Sequence, residues 1–219
     1  GSGSSNVTIN LETSGETASF INLSTGTWTP STVSNYLTIN GTYGSENITG
    51  PNLSSLIYGK AGNDIIVAGT QVDLIIGGTG ADTLTGSGGN DGFIITDGDS
   101  GLTAITADKI TDFISGADYL NVGGSTTANA TATTGNYVEE SIAVANFSVA
   151  LSQANTALNS LNSGTGSSPN YNTSADLYSF QYDANYGYLF TDTDSDGNAD
   201  LVVMLTGIDN TEIAHTDVI

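Results

Sequence analysis

Cysteine is absent from these 219 residues, and basic side chains nearly so. Lys60 and Lys109 stand against 23 acidic residues, a formal net charge of −21. Without cysteine no disulfide staples the fold, and the redox compartment is left open. Without a cationic patch, nucleic acid and anionic lipid are poor partners, because both reward Lys and Arg. No run of 18 apolar residues occurs, so no segment is suited to cross a membrane as a helix. Proline is scarce and strong helix formers are few, while 28 glycines accompany abundant Ser, Thr and Asn. That composition suits tight turns and short strands. A charge this one-sided costs stability through self-repulsion unless cations screen it. It fits either a salt-adapted acidic surface or a chain that binds cations.

The placement of the acids favours the second reading. From Gly59 the chain runs GKAGNDIIV, AGTQVDLII, GGTGADTLT, GSGGNDGFI. Aspartate holds the sixth place of each nonapeptide (Asp64, Asp73, Asp82, Asp91), and a large apolar residue the eighth (Ile66, Ile75, Leu84, Phe93). The frame extends backward through GTYGSENIT, with Glu46 and Ile48, and through GPNLSSLIY, where Ser55 replaces the acid before Ile57. Ile39 continues the apolar series. A short repeat held in register means one structural unit stacked on itself.

Glycines at the start of each unit allow a sharp turn, and the last three residues make a short strand whose eighth residue points inward. Two units form a coil of 18 residues, and coils stack at about 4.8 Å. This predicts an all-β solenoid with two inward ladders, Ile48/Ile66/Leu84 and Ile57/Ile75/Phe93. Such a core is thin, and its burial struggles to offset an ordering cost of about 1–2 kcal/mol per residue. Turns on one side recur every second unit, so Asp64 stacks on Asp82 and Asp73 on Asp91. Carboxylates that close repel unless an ion lies between them. Ca²⁺ suits the gap, since it takes about 6–8 oxygens and accepts backbone carbonyls, whereas Mg²⁺ demands strict octahedral geometry. Zn²⁺ wants His or Cys, and His215 is the only such residue. Aspartates that merely make turns are the alternative; it leaves the fixed sixth place unexplained.

These units resemble the RTX (repeats-in-toxin) nonapeptide G-G-x-G-x-D-x-U-x, and GGTGADTLT (residues 77–85) matches it at every defined place. The resemblance implies a right-handed parallel β-roll with several Ca²⁺ ions held between same-side turns. It implies carbonyl ligands from Gly59, Ala61, Gly78 and Gly80 beside Asp64 and Asp82. On the other side it implies Ala68, Thr70, Ser87 and Gly89 beside Asp73 and Asp91. The same implication extends to Gly62, Gly77 and Thr79, and Glu46 with Asp64 makes a weaker site. DKITDFISGADYL (residues 108–120) resembles the segment that closes such rolls, with Asp97, Asp99 and Asp108 completing the last ions. YGYLFTDTDSDGNADLVVMLTG (residues 186–207) resembles the late hairpin of type I secreted proteins.

Three regions are expected: N-terminal strands over 1–40, the roll with its closing segment over 41–122, and a helix and hairpin region over 123–219. Residues 6–40 alternate apolar and polar, with Leu11, Phe20, Ile21, Leu23 and Trp28 in short strands and Pro30 ending one. After Phe93 the frame dissolves. Polar tracts at 123–137 and 162–173 read as loops. Phe147, Leu151, Ala154, Leu158 and Leu161 predict one amphipathic helix over 139–161, with Glu139 and Glu140 near its N-terminus. Strand-like runs follow at Leu177–Tyr182, Tyr186–Phe190 and Leu201–Leu205. Asp192, Asp194, Asp196 and Asp200 open like an EF-hand loop but lack the acid at its twelfth place, where Val203 stands. They read as a tight acidic hairpin turn or a weak calcium site.

No N-terminal signal pattern opens the chain, and Gly1 to Ser5 read as a linker. The expectation is a fragment, or a protein exported without such a signal. The ending His-Thr-Asp-Val-Ile reads either as a last strand or, by resemblance, as a type I secretion signal. The expected function is a secreted or cell-surface bacterial calcium-binding module. It folds when calcium binds, meets the type I secretion machinery, and helps its parent assemble as a surface-layer protein or adhesin. The alternative is the non-catalytic C-terminal domain of a secreted metalloprotease or lipase. Neither H-E-x-x-H nor G-x-S-x-G occurs, so no catalytic residue is expected here. Ice binding is disfavoured, because Thr70 and Thr79 fall on opposite sides and build no flat ladder.

Overall fold

The eighth residue of each nonapeptide turns inward and organises everything around it. Ile48, Ile57, Ile66, Ile75, Leu84 and Phe93 are all buried in one apolar core. The computed structural model describes residues 7–10, 20–23, 37–123, 136–162 and 176–219. The expected features at Leu11, Trp28 and Pro30, and most of the loops expected over 123–137 and 162–173, lie outside the described residues, while Gly123 and Tyr137 prove to be in strands and Asn162 in a helix.

In chain order the elements are β1 (Val7–Asn10), β2 (Phe20–Asn22), β3 (Leu37–Asn40), β4 (Asn47–Thr49), β5 (Ser55–Ala61) and β6 (Ile65–Val67). Then come β7 (Leu74–Thr79), β8 (Thr83–Thr85), β9 (Gly92–Thr96), β10 (Asp108–Ile110) and β11 (Tyr119–Gly123). The chain ends with β12 (Tyr137–Glu139), α1 (Phe147–Asn162), β13 (Leu177–Tyr182), β14 (Tyr186–Asp192) and β15 (Leu201–Thr206). Through β12 successive strands alternate between two sheets, and in the repeats this is because each nonapeptide carries one strand and one turn. Among the described residues the first sheet runs β1-β3-β5-β7-β9-β11, parallel throughout. The second runs β12-β13-β14-β15-β10-β8-β6-β4-β2.

The register follows the frame. Ile57 pairs Ile75 and Ile75 pairs Phe93 in one sheet; Ile48 pairs Ile66 and Ile66 pairs Leu84 in the other. These are the two expected ladders. Strands β4, β6 and β8 have three residues each, as the repeat predicts, but β5 and β7 run on into the next turn, pairing Lys60 with Gly78 and Ala61 with Thr79.

The stack does not end where the frame dissolves after Phe93. Phe93 pairs Leu120, and Leu84 pairs Ile110. A detour through residues 97–107 interrupts the nine-residue step, so Ile110 stands 26 residues after Leu84 and Leu120 27 after Phe93, where same-sheet partners in the repeats are 18 apart. β15 joins β10 in parallel, with Ile110 opposite Leu205, and hydrogen bonding continues from the stack into the antiparallel β13-β14-β15 region. The tail docks on the same end: Val218 is buried and bridges Leu120, and the Ile219 N–H donates to the Leu120 carbonyl at 2.8 Å.

This second region is thicker than the stack. Strands β13 to β15 bury both faces, which explains the unbroken apolar run Leu201–Leu205. Tyr178, Phe180, Leu189, Val203 and Leu205 face the repeat core, while Tyr188, Phe190, Val202 and Met204 meet α1. Ala150, Ala154 and Leu158 of α1 are fully buried there, and Phe147 sets its ring edge-on to Tyr188 at 5.4 Å. The helix begins later than residue 139. Residues 137–139 form β12, where Glu139 pairs Phe180, and no acid occupies the first helical turn. Asn146 starts the helix instead, its side chain accepting the Val149 N–H at 3.2 Å.

Because each coil buries so little, its inward residues are individually costly to truncate. Ile66→Ala is expected to destabilise the calcium-loaded protein by about 2–5 kcal/mol. Ile65→Ala, at an exposed neighbouring position, should stay within about 0.5 kcal/mol. Urea unfolding at saturating calcium measures both.

Candidate metal centre

The sixth-place acids form two vertical columns tied together by the backbone. On one side Asp64 Oδ1 accepts the Glu46 N–H at 2.7 Å, Asp82 Oδ1 accepts the Asp64 N–H at 2.7 Å, and Asp108 Oδ1 accepts the Asp82 N–H at 2.9 Å. On the other side Asp73 Oδ1 accepts from Ser55 at 2.6 Å, Asp91 Oδ1 from Asp73 at 2.8 Å, and Asp118 Oδ1 from Asp91 at 2.9 Å. Each carboxylate thus reaches back one coil and fixes the turn below it. All of these acids are buried.

The first-place glycines are required by closeness. The Asp82 carboxylate curls over Gly77 so tightly that a Cβ there would meet Oδ2 at 2.2 Å; Gly59 stands in the same relation to Asp64, at 2.3 Å. The fourth place needs glycine for another reason. Gly62 and Gly80 adopt φ of +106° and +144°, conformations that side chains disfavour.

The second carboxylate oxygens reveal what the columns demand. Oδ2 of Asp64, Asp82 and Asp108 is buried without a hydrogen-bond partner, and these three atoms belong to one column. A buried unpartnered carboxylate oxygen is expensive. Among the described residues no cation relieves it. The charges these groups feel are those of other acids: Glu46 and Asp82 at Asp64, Asp99 at Asp82, and Asp82 with Asp99 at Asp108. The two lysines lie over tyrosine rings, Lys60 over Tyr43 and Lys109 over Tyr186, each at 5.7 Å. Burial first, then acidic neighbours, lifts Asp64 and Asp73 to about 7, Asp82 and Asp91 to about 6, and Asp108 to about 8. A carboxylate so placed requires a proton or a metal ion, and an all-oxygen donor set lined with turn carbonyls fits Ca²⁺.

The other expected ligands fall in or beside these columns with different surroundings. Gly59, Ala61, Gly77, Gly78 and Thr79 lie in the stacked strands β5 and β7. The Thr79 carbonyl accepts the Gly62 N–H at 2.9 Å, and the Ala68 carbonyl accepts the Ser87 hydroxyl at 3.1 Å. The Gly80 N–H donates to the Asp99 carbonyl at 3.2 Å. Thr70 and Gly89 are in exposed parts of the opposite turns. Glu46 is buried, but it bends into its own turn, accepting from the Thr42 N–H at 3.0 Å and from the Thr42 hydroxyl. Asp99 accepts the Thr96 N–H at 2.9 Å, while Asp97 is exposed.

Two acids escaped sequence reasoning. Asp118 closes the second column, and Asp112 accepts the N–H groups of Gly86 and Ser87 at 2.9 and 2.7 Å. Asp118 lies 27 residues after Asp91, an odd three repeats that the alternation of sides would assign to the other column, so the frame alone did not place it.

A stack of short parallel strands with columns of buried carboxylates at its turns is the architecture of a cation-dependent repeat domain. Residues 57–93 match the family model of the RTX calcium-binding nonapeptide repeat, in four copies. No curated protein matches the chain. The chain carries an RTX calcium-binding domain, and its repeats bind Ca²⁺.

The raised carboxyls set the sign of a pH effect. Their folded-state values lie above the ordinary 3.8, so the folded form holds protons that the unfolded form has released. Stability without metal is therefore present at low pH and lost as pH rises from about 4 to about 8. Calcium-stripped protein should gain strand signal by circular dichroism as pH falls through that window. In saturating calcium the trend should reverse, because protons compete with the ion for the same oxygens.

Proposed function

We propose that the repeat segment is a right-handed parallel β-roll that folds when calcium binds outside the cell. In this reading the chain is a non-catalytic, extracellular module of a bacterial type I secreted protein. It supports export and then surface assembly of that protein. The observation that carries this reading is the column of buried Asp64, Asp82 and Asp108, each with an unpartnered oxygen, in a chain of net charge −21.

The logic is one of linkage. Where free calcium is scarce, the columns repel and the thin core does not offset chain entropy, so the chain stays extended and can thread an export channel. Where calcium is plentiful, binding free energy becomes folding free energy. Folding on the far side then opposes return. The uniform acidity that disfavours nucleic acid and anionic lipid also keeps the unfolded chain soluble in transit.

Calcium titration followed by circular dichroism tests this. In chelator at neutral pH and low ionic strength the strand spectrum should be largely absent, and millimolar calcium should restore it. Asp82→Asn keeps an acceptor for the Asp64 N–H but removes the charge. It should raise the calcium midpoint by about tenfold, the loss of one charged ligand being worth about 1.4 kcal/mol. Identical spectra in chelator and calcium would refute calcium-driven folding. Light scattering that shows no larger species with calcium would refute surface assembly alone.

A further inference from the structure

A second acidic group lies outside the repeats, in the turn between β14 and β15. Carboxylate oxygens of Asp192, Asp194 and Asp200 converge within 4.8 Å of one another. Asp192 is completely buried. Its Oδ2 accepts the Gly197 N–H at 2.8 Å, while its Oδ1 is buried with no hydrogen-bond partner. That atom distinguishes this turn from an ordinary acidic loop, where solvent would satisfy every oxygen. Burial first, and then the neighbouring Asp200 and Asp194, holds the Asp192 carboxyl above the usual carboxylate range.

The loop is also held in shape from outside. Asn155, Asn159 and Asn162 recur along one face of α1. The Asn155 side chain accepts the Ala199 N–H at 2.9 Å, and the Asn162 side chain donates to the Ser195 carbonyl at 2.8 Å. Gly197, at φ +91°, packs against Asn159 so closely that a Cβ would meet its Oδ1 at 3.1 Å. Within the loop, Asp200 Oδ2 accepts the Thr193 N–H at 2.7 Å and hydroxyl at 2.8 Å, and Asp194 Oδ1 accepts the Asp196 N–H at 3.0 Å. The loop that carries the three carboxylates is thus braced by a helix with no charge of its own, while groups within the loop hold the carboxylates themselves.

We propose that Asp192, Asp194 and Asp200 hold a Ca²⁺ ion of their own, independent of the repeat turns, which locks the β14–β15 turn against α1. The donor set is oxygen alone, which excludes a zinc-type site. Asp200 takes the place of the distant twelfth-position acid of an EF-hand loop, so the site closes within nine residues of Asp192.

The full chain tests this by ion counting in equilibrium dialysis, paired with hydrogen exchange of the Gly197 and Ala199 amides. Asp194→Asn/Asp200→Asn should keep the calcium-induced strand spectrum, bind one ion fewer, and exchange those amides about tenfold faster in calcium. Asp82→Ala should lose calcium from the repeats and leave the loop's protection intact. Asp194→Asn alone alters an exposed carboxyl and keeps the acceptor for Asp196, so it decides the matter if the double variant fails to fold. An ion count and loop exchange equal to wild type in either folded variant would overturn the proposal. Equal protection by Mg²⁺ alone would overturn the assignment to calcium.

Discussion

One contact governs this molecule: a backbone N–H donating to a carboxylate one coil away. Repeated from Glu46 to Asp108 and from Ser55 to Asp118, it sets the turn, the spacing of the coils and the register of both sheets. It also creates the problem that the structure must solve. In the column of Asp64, Asp82 and Asp108 each such bond satisfies one oxygen and leaves the other buried without a partner among like charges. Coulomb repulsion in so dry a setting far exceeds its value in water. The fold and its need for a cation therefore come from the same side chains.

The apolar interior is built to match. In the repeats, one large residue per nonapeptide faces inward, and the ladders Ile57/Ile75/Phe93 and Ile48/Ile66/Leu84 make a core two residues wide. The C-terminal region follows a different economy. There Tyr178, Phe180, Tyr188 and Phe190 fill both faces of the extended sheet, and α1 covers the outer one. Because β15 pairs directly with β10, this denser region continues the stack and gives it a firm end. The tail adds to that end, with Asp217 accepting from the Gly116 N–H at 3.0 Å and the Ser115 hydroxyl at 2.7 Å.

Much of this was legible in the amino-acid order because the repeat is a ruler. A period of nine fixes which residues face inward, which acids share a side, and which strands pair. Ile48, Ile66 and Asp82 stand where that period puts them. Legibility failed where the ruler was interrupted. The detour at 97–107 lengthens the same-side step from 18 residues to 26 and 27, so the column that Asp118 joins could not be counted from the repeat. The start of α1 was misplaced because Glu139 and Glu140 suit a helix N-terminus as well as a strand end, and only pairing with β13 decides between them. Glu46 shows a further limit. Its carboxylate bonds both the N–H and the hydroxyl of Thr42 in its own turn, a pairing that the nine-residue pattern does not carry.

The central claim is that calcium in the turns supplies stability that the apolar core does not. Thermal unfolding at neutral pH, repeated over a range of calcium concentrations, measures this directly. The account predicts a midpoint that climbs steadily with the logarithm of calcium, with a slope corresponding to more than one ion taken up on folding. A midpoint unchanged from chelator to millimolar calcium would contradict it.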